Sequence, residues 1–398
     1  MNQVRIASRP PGNIHLFVLV LAQFAGTSLW FAGNAILPNL QPLLGTTALS
    51  GWITSAVQLG FITGTLTYTI FRIPDTYPAT RVFMVSVVAA AVFNLLILVL
   101  PLRSGWVLLS RFGTGFFLAG VYPVGMKIAA DWFRPVLSRA MGFLVGALVL
   151  GTALPHLIRG VGKSLPYEGV LLTVSGLAVA GGLLLVWVMP TKPAVSRSGT
   201  FSLGVLPMLL RPGPLRAGVI GYFGHMWELY ALWAFLPALL TLYAQHHPEY
   251  IFNKSIWAFL GIGAGFLGCA GGGLLALRVG SRPVATAYLL ISGLCTALIP
   301  LMIYASPGVF LGFLLLYGIA LAGDSPQLTT MVSSNVPDEI RGSLLTLVTC
   351  IGFSITVISI QLLAWLSAYS GGSAWAFWLL LPGPLVGIWG LLNKRVAS

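Results

Sequence analysis

The chain has 398 residues, of which 57% are hydrophobic and only 7% charged, and its mean hydropathy is +0.92. A soluble domain carries roughly 25% charged residues, so the composition excludes a soluble globular protein and predicts lipid around most of the surface. The net charge of +13 is spread singly or in pairs between apolar runs. Nucleic-acid binding needs basic residues clustered on one solvated face, so no nucleic-acid partner is expected.

Apolar runs of membrane-spanning length recur along the whole chain. They predict an all-α membrane protein with twelve transmembrane helices, at 14–38, 49–71, 80–101, 104–128, 138–159, 168–189, 215–243, 254–277, 283–303, 307–330, 342–368 and 373–393. No small-residue cleavage site follows the first run, so we expect a retained helix there rather than a signal peptide. The Pro-, Ser- and Gly-rich interval 190–214 predicts a linker between an N-terminal half, 1–189, and a C-terminal half, 215–398.

Basic residues between the predicted spans favour one side of the membrane. The other side keeps only Arg103, Arg159, Lys163 and Lys254. Lys and Arg are enriched in cytoplasmic loops, so both termini and the linker are expected in the cytoplasm. The short termini also argue against a signalling domain of the kind that a receptor or sensor would carry.

The two predicted halves share a sequence repeat at an offset of 203 residues. Leu29-Trp30 matches Leu232-Trp233 at this offset. The same offset relates Gly115, Ala119, Gly120 and Pro123 to Gly318, Ala322, Gly323 and Pro326. Two parallel repeats of this kind predict pseudo-symmetric six-helix bundles with a binding site at the membrane midplane, where the halves meet.

With these features the chain resembles the major facilitator superfamily over its whole length. The segment RFGTGFFLAGVYP, residues 111–123, is similar to the family's helix 4 motif, and Asp75 and Arg81 stand where the family has an acidic-basic loop. The resemblance implies alternating access and a small-molecule substrate in a cavity lined by helices 1, 4, 7 and 10. It also implies a conformational latch of Asp75, Arg81, Asp131 and Arg139 at the cytoplasmic ends of helices 2 to 5.

The ionisable residues well inside the predicted spans are expected to serve function, because each costs about 3 kcal/mol or more at the bilayer centre. They are Arg111, Lys127, His225, Glu228 and Asp324, all on helices 4, 7 and 10. Glu228 lies near the middle of helix 7 with His225 one turn earlier, and an acid in such a cavity can cycle between charged and neutral states. We predict proton coupling through Glu228, His225 and Asp324. A structural ion pair or hydrogen bond is the alternative, and for Lys127 a structural role is favoured.

Arg111 offers a planar fork of donors that suits a carboxylate, and Tyr122 lies near the same helix face. The alternative for Arg111 is pairing with a neighbouring helix to support packing. The other predicted substrate contacts are Gln23, Trp30 and Asn34 on helix 1 and Tyr230 and Trp233 on helix 7. For the aromatic residues among them, packing is again the alternative.

Glycines and cysteines in the apolar runs are interpreted as packing residues. The GxGxxG pattern at 263–268 lies inside an apolar run without the strand and acid of a dinucleotide site, so it predicts close helix packing. Cys269, Cys295 and Cys350 show neither disulfide nor metal spacing. His246, His247 and Glu249 are too few for a convincing metal site, so no metal is predicted.

The sequence therefore predicts a monomeric, proton-coupled secondary transporter (a symporter) of the inner membrane that moves a small polar or anionic solute. Export by proton antiport is the alternative, although GFLVGALVLGTALPH in helix 5 lacks the Gly-Pro pair of many antiporters in the family. No GK[ST] phosphate loop occurs, so neither ATP nor another cofactor is expected. A membrane-embedded enzyme would need a catalytic cluster at bilayer depth, and we expect no catalytic residues.

Overall fold

The computed structural model describes residues 12–45, 49–133, 136–162, 165–190, 202–211 and 213–393, and these residues are helical throughout apart from short turns. We label the long helical elements in chain order: α1 (Asn13–Leu44), α2 (Leu49–Ile70), α3 (Ala79–Val99), α4 (Ser104–Trp132), α5 (Leu137–Val161), α6 (Tyr167–Val188), α7 (Pro214–His246), α8 (Lys254–Val279), α9 (Ser281–Met302), α10 (Pro307–Ser334), α11 (Asp338–Tyr369) and α12 (Ala374–Leu392). Two short helices, Ile73–Thr76 and the 3₁₀ helix Leu203–Leu210, lie between them.

Within the described ranges, 11 helices are long and apolar enough to cross a membrane. The exception among the labelled helices is α2, which has membrane-spanning length at 22 residues but carries many Thr, Ser and Gly residues. The all-helical class is confirmed, while the count of twelve spans and the cytoplasmic location of the termini stay predictions. Residues 1–11, 191–201 and 394–398 lie outside the described residues, and they include both termini and 11 of the 25 residues of the predicted 190–214 linker.

Several of the long helices are interrupted rather than continuous. In α4 the break at 119–121 precedes Pro123, and in α10 the break at Asp324 precedes Pro326. Proline cannot donate to the helical ladder and clashes with the preceding turn, which explains both breaks. The two positions are related by the 203-residue offset of the repeat. The break of α1, between Thr27 and Ala32, has no proline within it.

The two predicted halves contact each other mainly through α2 with α11 and α5 with α8. Gln361 Nε2 of α11 donates to Ser55 Oγ of α2 over 2.8 Å. At the end of α5, the carbonyl of Gly160 accepts a 2.7 Å bond from Asn253 Nδ2, which also caps α8. These polar contacts join the halves along two seams that flank the centre of the molecule.

Helices α8 and α10 approach so closely that glycine is required at the contact. A Cβ on Gly268 would lie 2.0 Å from the carbonyl oxygen of Ile319, and one on Gly318 would lie 1.8 Å from that of Gly261. Both distances are far below van der Waals contact, so any other residue would force the backbones apart. The interpretation of the GxGxxG pattern as a helix-packing motif is confirmed.

Candidate functional site

Arg111 is fully buried in α4, and its guanidinium is held by groups of two neighbouring helices. Nη2 donates to the main-chain carbonyls of Leu29 over 2.9 Å and Trp30 over 2.6 Å, and Nη1 donates to Asn94 Oδ1 over 2.8 Å. Asn94 in turn donates to Ser175 Oγ over 3.0 Å. Arg111 therefore connects α1, α3 and α4, with α6 reached through Asn94.

The break in α1 explains why hydrogen-bond donors from another helix are needed at this point. An interrupted helix leaves carbonyl groups without their usual N–H donors, and buried carbonyls must find other partners. Arg111 supplies two charge-assisted donors at this point, and Gly33 leaves room for its side chain, since a Cβ there would lie 2.9 Å from Nε. The packing alternative for Arg111 thus has a structural basis. Its predicted contact with an anionic substrate stays a prediction.

Glu228 is fully buried in α7 and is surrounded by hydroxyl groups of the C-terminal half. Ser292 Oγ donates to Oε2 over 3.1 Å, Tyr317 OH donates to Oε1 over 2.8 Å, and Thr296 Oγ1 also donates to Oε1. Ser292 and Thr296 lie one turn apart on α9, and Tyr317 lies on α10. Among the described residues, no cation pairs with this carboxyl group.

The hydroxyl groups around Glu228 have alternative partners on their own helix. Ser292 Oγ lies 3.2 Å from the carbonyl of Leu289, and Thr296 Oγ1 lies 3.0 Å from the carbonyl of Ser292. A hydroxyl both donates and accepts, so these groups can donate to a carboxylate or turn away and accept from a protonated acid. The site can therefore satisfy both protonation states of Glu228 without leaving a buried polar group unpaired.

His225 and Asp324 form a second buried polar contact, between α7 and α10. His225 Nδ1 lies 2.8 Å from Asp324 Oδ1, an ion-pair distance at which the angles are not those of a hydrogen bond. Asp324 lies at the break of α10, and both side chains are only 1% exposed. The sequence placed His225 and Glu228 on one helix face, but their partners differ: His225 contacts an acid and Glu228 contacts hydroxyl groups.

Aromatic rings from both halves meet at the centre of the molecule. Trp30 stacks on Tyr230 with ring centroids 5.9 Å apart, and Tyr230 packs edge-on against Trp233 over 5.4 Å. Phe61 of α2 lies 4.8 Å from Trp30 and 4.6 Å from Phe353 of α11. The predicted contacts Trp30, Tyr230 and Trp233 are thus brought together, and we call these five residues the aromatic cluster.

A narrow cavity with about 10 Å³ of free space, room for about one water molecule, lies beside the aromatic cluster, between α7, α8 and α10. Trp233 and Tyr317 both line it, together with leucine and glycine residues. Because Tyr317 also donates to Glu228, this residue connects the cavity to the buried acid.

The remaining predicted contacts lie on either side of the aromatic cluster along α1 and α4. Asn34 Nδ2 donates to Thr54 Oγ1 of α2 over 2.6 Å. Gln23 is buried near Gly125 of α4, where a Cβ would lie 2.1 Å from Gln23 Oε1. Tyr122 begins the second segment of α4 and is half-buried. The structure therefore does not gather Gln23, Asn34 and Tyr122 around one point.

The predicted latch residues form an ion-pair cluster centred on a different cation. Lys127 Nζ lies 3.0 Å from Asp75 Oδ1 and 3.5 Å from Asp131 Oδ2. Arg81 makes no ion pair with any residue in the described ranges, and Arg139 lies over the ring of Phe143 at 5.7 Å. Lys127, expected to be structural, thus takes the place that was predicted for an arginine. We call Asp75, Lys127 and Asp131 the Lys127 cluster.

Several polar residues of the site were missed in the sequence. Ser292, Thr296, Tyr317 and Asn94 hold Glu228 and Arg111, yet such residues are common in membrane helices and carry no distinctive pattern. The i, i+4 spacing of Ser292 and Thr296 in an apolar run was the available signal. His156, buried near the end of α5, is a further ionisable residue that the sequence did not indicate.

The comparisons with known proteins agree with this architecture. A family model described as the Major Facilitator Superfamily matches residues 18–359. This range begins in α1 and ends in α11, so it includes Arg111, Glu228 and Asp324. No curated protein matches the chain.

Proposed function

The chain belongs to the Major Facilitator Superfamily and is a multi-pass membrane transporter; we propose that it is a proton-coupled secondary transporter of the inner membrane. In this proposal it acts as a monomer and moves a small polar or anionic solute by alternating access. Residues 1–189 and 215–398 form the two moving halves, joined by the 190–214 linker. Substrate and proton move together as symport.

The observation that carries the proposal is the hydrogen-bonding environment of the Glu228 carboxyl group. A carboxyl group that stayed charged throughout would be expected to face a cation, because burial of an uncompensated charge is costly. Glu228 instead faces three hydroxyl groups that can serve it in either protonation state. This favours a group that gains and loses a proton during the transport cycle.

The route from proton to substrate runs through Tyr317. This residue contacts Glu228 on one side and the cavity beside Trp233 on the other. Protonation of Glu228 changes which hydroxyl groups donate, and Tyr317 carries that change to the cavity wall. Asp324 with His225 is the second candidate for the proton site, since it is the other fully buried acid of the described helices.

Infrared difference spectroscopy tests the proposal without a known substrate. We expect the purified protein to show a pH-dependent carboxylic-acid C=O band that disappears in Glu228→Gln and persists in Asp324→Asn. Glu249→Gln, at an exposed loop position, serves as the control and should leave the band unchanged. A band that survives in Glu228→Gln and disappears in Asp324→Asn would move the proton site to Asp324, and no titrating band at all would contradict proton coupling.

A further inference from the structure

Four fully or almost fully buried side chains at the centre carry polar atoms that find no hydrogen-bond partner in the described part of the chain. They are the indole Nε1 of Trp30 and of Trp233, the Oδ1 of Asn34, and both amide atoms of Gln58. Buried polar groups are normally paired, so unpaired groups in this number indicate a ligand. All four side chains are uncharged.

These side chains belong to one connected surface. Asn34 is bonded to Thr54 of α2, and Gln58 lies one helical turn after Thr54 and one turn before Phe61. The ring of Phe61 lies 4.8 Å from that of Trp30, which is itself one turn before Asn34 on α1. Gln58 therefore sits on the face of α2 that looks towards α1 and the aromatic cluster.

The aromatic cluster extends this surface to the other half. Trp30 stacks on Tyr230, and Tyr230 contacts Trp233, whose unpaired N–H belongs to the C-terminal half. Aromatic faces bind flat apolar groups well, and indole N–H and amide groups add directional hydrogen bonds at their edges. The surface thus offers donors from both tryptophans, donor and acceptor groups from Gln58, and an acceptor from Asn34.

Each charged group of the site contacts an internal partner, although Arg111 Nε and His225 Nε2 have no hydrogen-bond partner in the described part of the chain. The guanidinium fork of Arg111 is used on two carbonyls and Asn94, and Glu228 is enclosed by hydroxyl groups. His225 and Asp324 face each other. A charged substrate would have to compete with these internal partners, whereas an uncharged one can bind to the unpaired atoms of Trp30, Asn34, Gln58 and Trp233 without disturbing them.

We propose that the substrate is an uncharged polar compound with a flat apolar part, recognised by Trp30, Asn34, Gln58 and Trp233. This inference rests on the proposed function and narrows its substrate class by removing the anionic option. Gln58 is the specificity-determining residue that the sequence did not indicate, because its amide can both donate and accept.

Matched pairs of small ligands that differ only in charge test this class. Benzamide with benzoate, nicotinamide with nicotinate, and indole-3-acetamide with indole-3-acetate are titrated against the purified full-length protein in detergent, with benzamidine as a cation. The melting temperature and isothermal titration calorimetry report binding. We expect at least one amide to bind saturably and more tightly than its carboxylate and than benzamidine.

The variant Gln58→Met then separates recognition from folding. It should weaken amide binding about ten-fold, as expected for the loss of hydrogen bonds between neutral groups. Because the amide of Gln58 is unpaired in the absence of ligand, the apolar replacement should keep or raise the melting temperature without ligand. Gln41→Met, a glutamine at the end of α1 bonded to Ser50, is the matched control and should leave binding unchanged.

The inference is overturned if a carboxylate binds more tightly than its amide, if no amide binds, or if Gln58→Met binds as the native protein does. Tight binding of a carboxylate together with a titrating Glu228 band in the infrared experiment would leave proton-coupled transport intact and reject only the uncharged class. Loss of that band with retained amide binding would reject the coupling and keep the substrate class.

Discussion

The guanidinium of Arg111 donates to the carbonyl of Trp30 over 2.6 Å, at the point where α1 is interrupted. Trp30 stacks on Tyr230 of the other half, and this bond holds the main chain of Trp30 to α4. This contact ties the position of the aromatic cluster to the packing inside the N-terminal half. Most of the N–H donors of Arg111 are therefore bonded to groups of the protein itself.

We therefore expect Arg111→Lys to act mainly on stability. A lysine ammonium cannot reproduce the planar fork, so at least one carbonyl or Asn94 loses its charged donor. Charge-assisted hydrogen bonds contribute about 1.5–3 kcal/mol each, and the melting temperature in detergent should fall accordingly. Arg103→Lys, at the exposed start of the same helix, should change nothing. Lower affinity for a ligand at an unchanged melting temperature would instead place Arg111 in the binding site.

Glu228→Gln should uncouple transport while keeping the shape of the site. Glutamine retains an acceptor for the hydroxyl groups but cannot release a proton at physiological pH. We expect proteoliposomes to lose accumulation of a transported solute under an inwardly directed proton gradient, with the outside acidic, while exchange across the membrane without a gradient persists. Exposed Glu249→Gln is the control. Normal accumulation by Glu228→Gln would exclude this residue as the coupling group.

The contact of His225 with Asp324 is expected to be energetically coupled. Removing one partner of a buried polar pair leaves the other uncompensated, so His225→Leu and Asp324→Asn should each destabilise the protein by about 3 kcal/mol. The double variant should lose less than the sum, with a coupling of about 0.5–3 kcal/mol. Denaturation in detergent of all four proteins gives this cycle. Strict additivity would show that the 2.8 Å contact contributes no stability of its own.

In transport assays, His225→Ala should shift the pH optimum more than the maximal rate.

The Lys127 cluster should affect the transport rate more than stability. Lys127 and its two acids are 22–34% exposed, and ion pairs at such positions contribute about 0–1 kcal/mol. Lys127→Met should thus change the melting temperature little, yet alter the maximal rate if the cluster stabilises one conformation. Arg81→Met is the comparison, since Arg81 has no ion pair within the described ranges. A larger effect from Arg81→Met would indicate that Arg81, as predicted from the sequence, acts in the conformational latch.

The sequence was informative where composition and periodicity decide the structure. Apolar runs located the helices, and the breaks of α4 and α10 follow from the local chemistry of Pro123 and Pro326. The break of α1 was not predicted, since no proline lies within it and its carbonyls depend on Arg111 from another helix.

The partners of the buried acids could not be predicted either. Helical periodicity places His225 and Glu228 on one side of α7, but it cannot decide which of two neighbouring helices each side chain contacts. That choice depends on the rotation and spacing of α9 and α10, which are set by packing along the whole helix. For the same reason, the sequence could not show that Lys127 rather than Arg81 lies between Asp75 and Asp131.

The close approach of α8 and α10 gives a sharp prediction for two glycines on the same helix. A Cβ on Gly318 would lie 1.8 Å from the carbonyl oxygen of Gly261, whereas one on Gly312 would meet nothing within 4 Å. Gly318→Ala must therefore push the helices apart, at a cost of about 1–3 kcal/mol for overpacking. Gly312→Ala should instead stabilise the protein by up to about 1 kcal/mol, because alanine has the higher helix propensity.

Melting temperatures of the two alanine variants in detergent test this difference. Gly318 also lines the cavity beside Trp233 and Tyr317, so Gly318→Ala should disturb transport as well as stability. Gly312→Ala should transport normally. Equal melting temperatures for the two variants would mean that α8 and α10 do not pack backbone to backbone, and the position of Tyr317 beside Glu228 would then need another explanation.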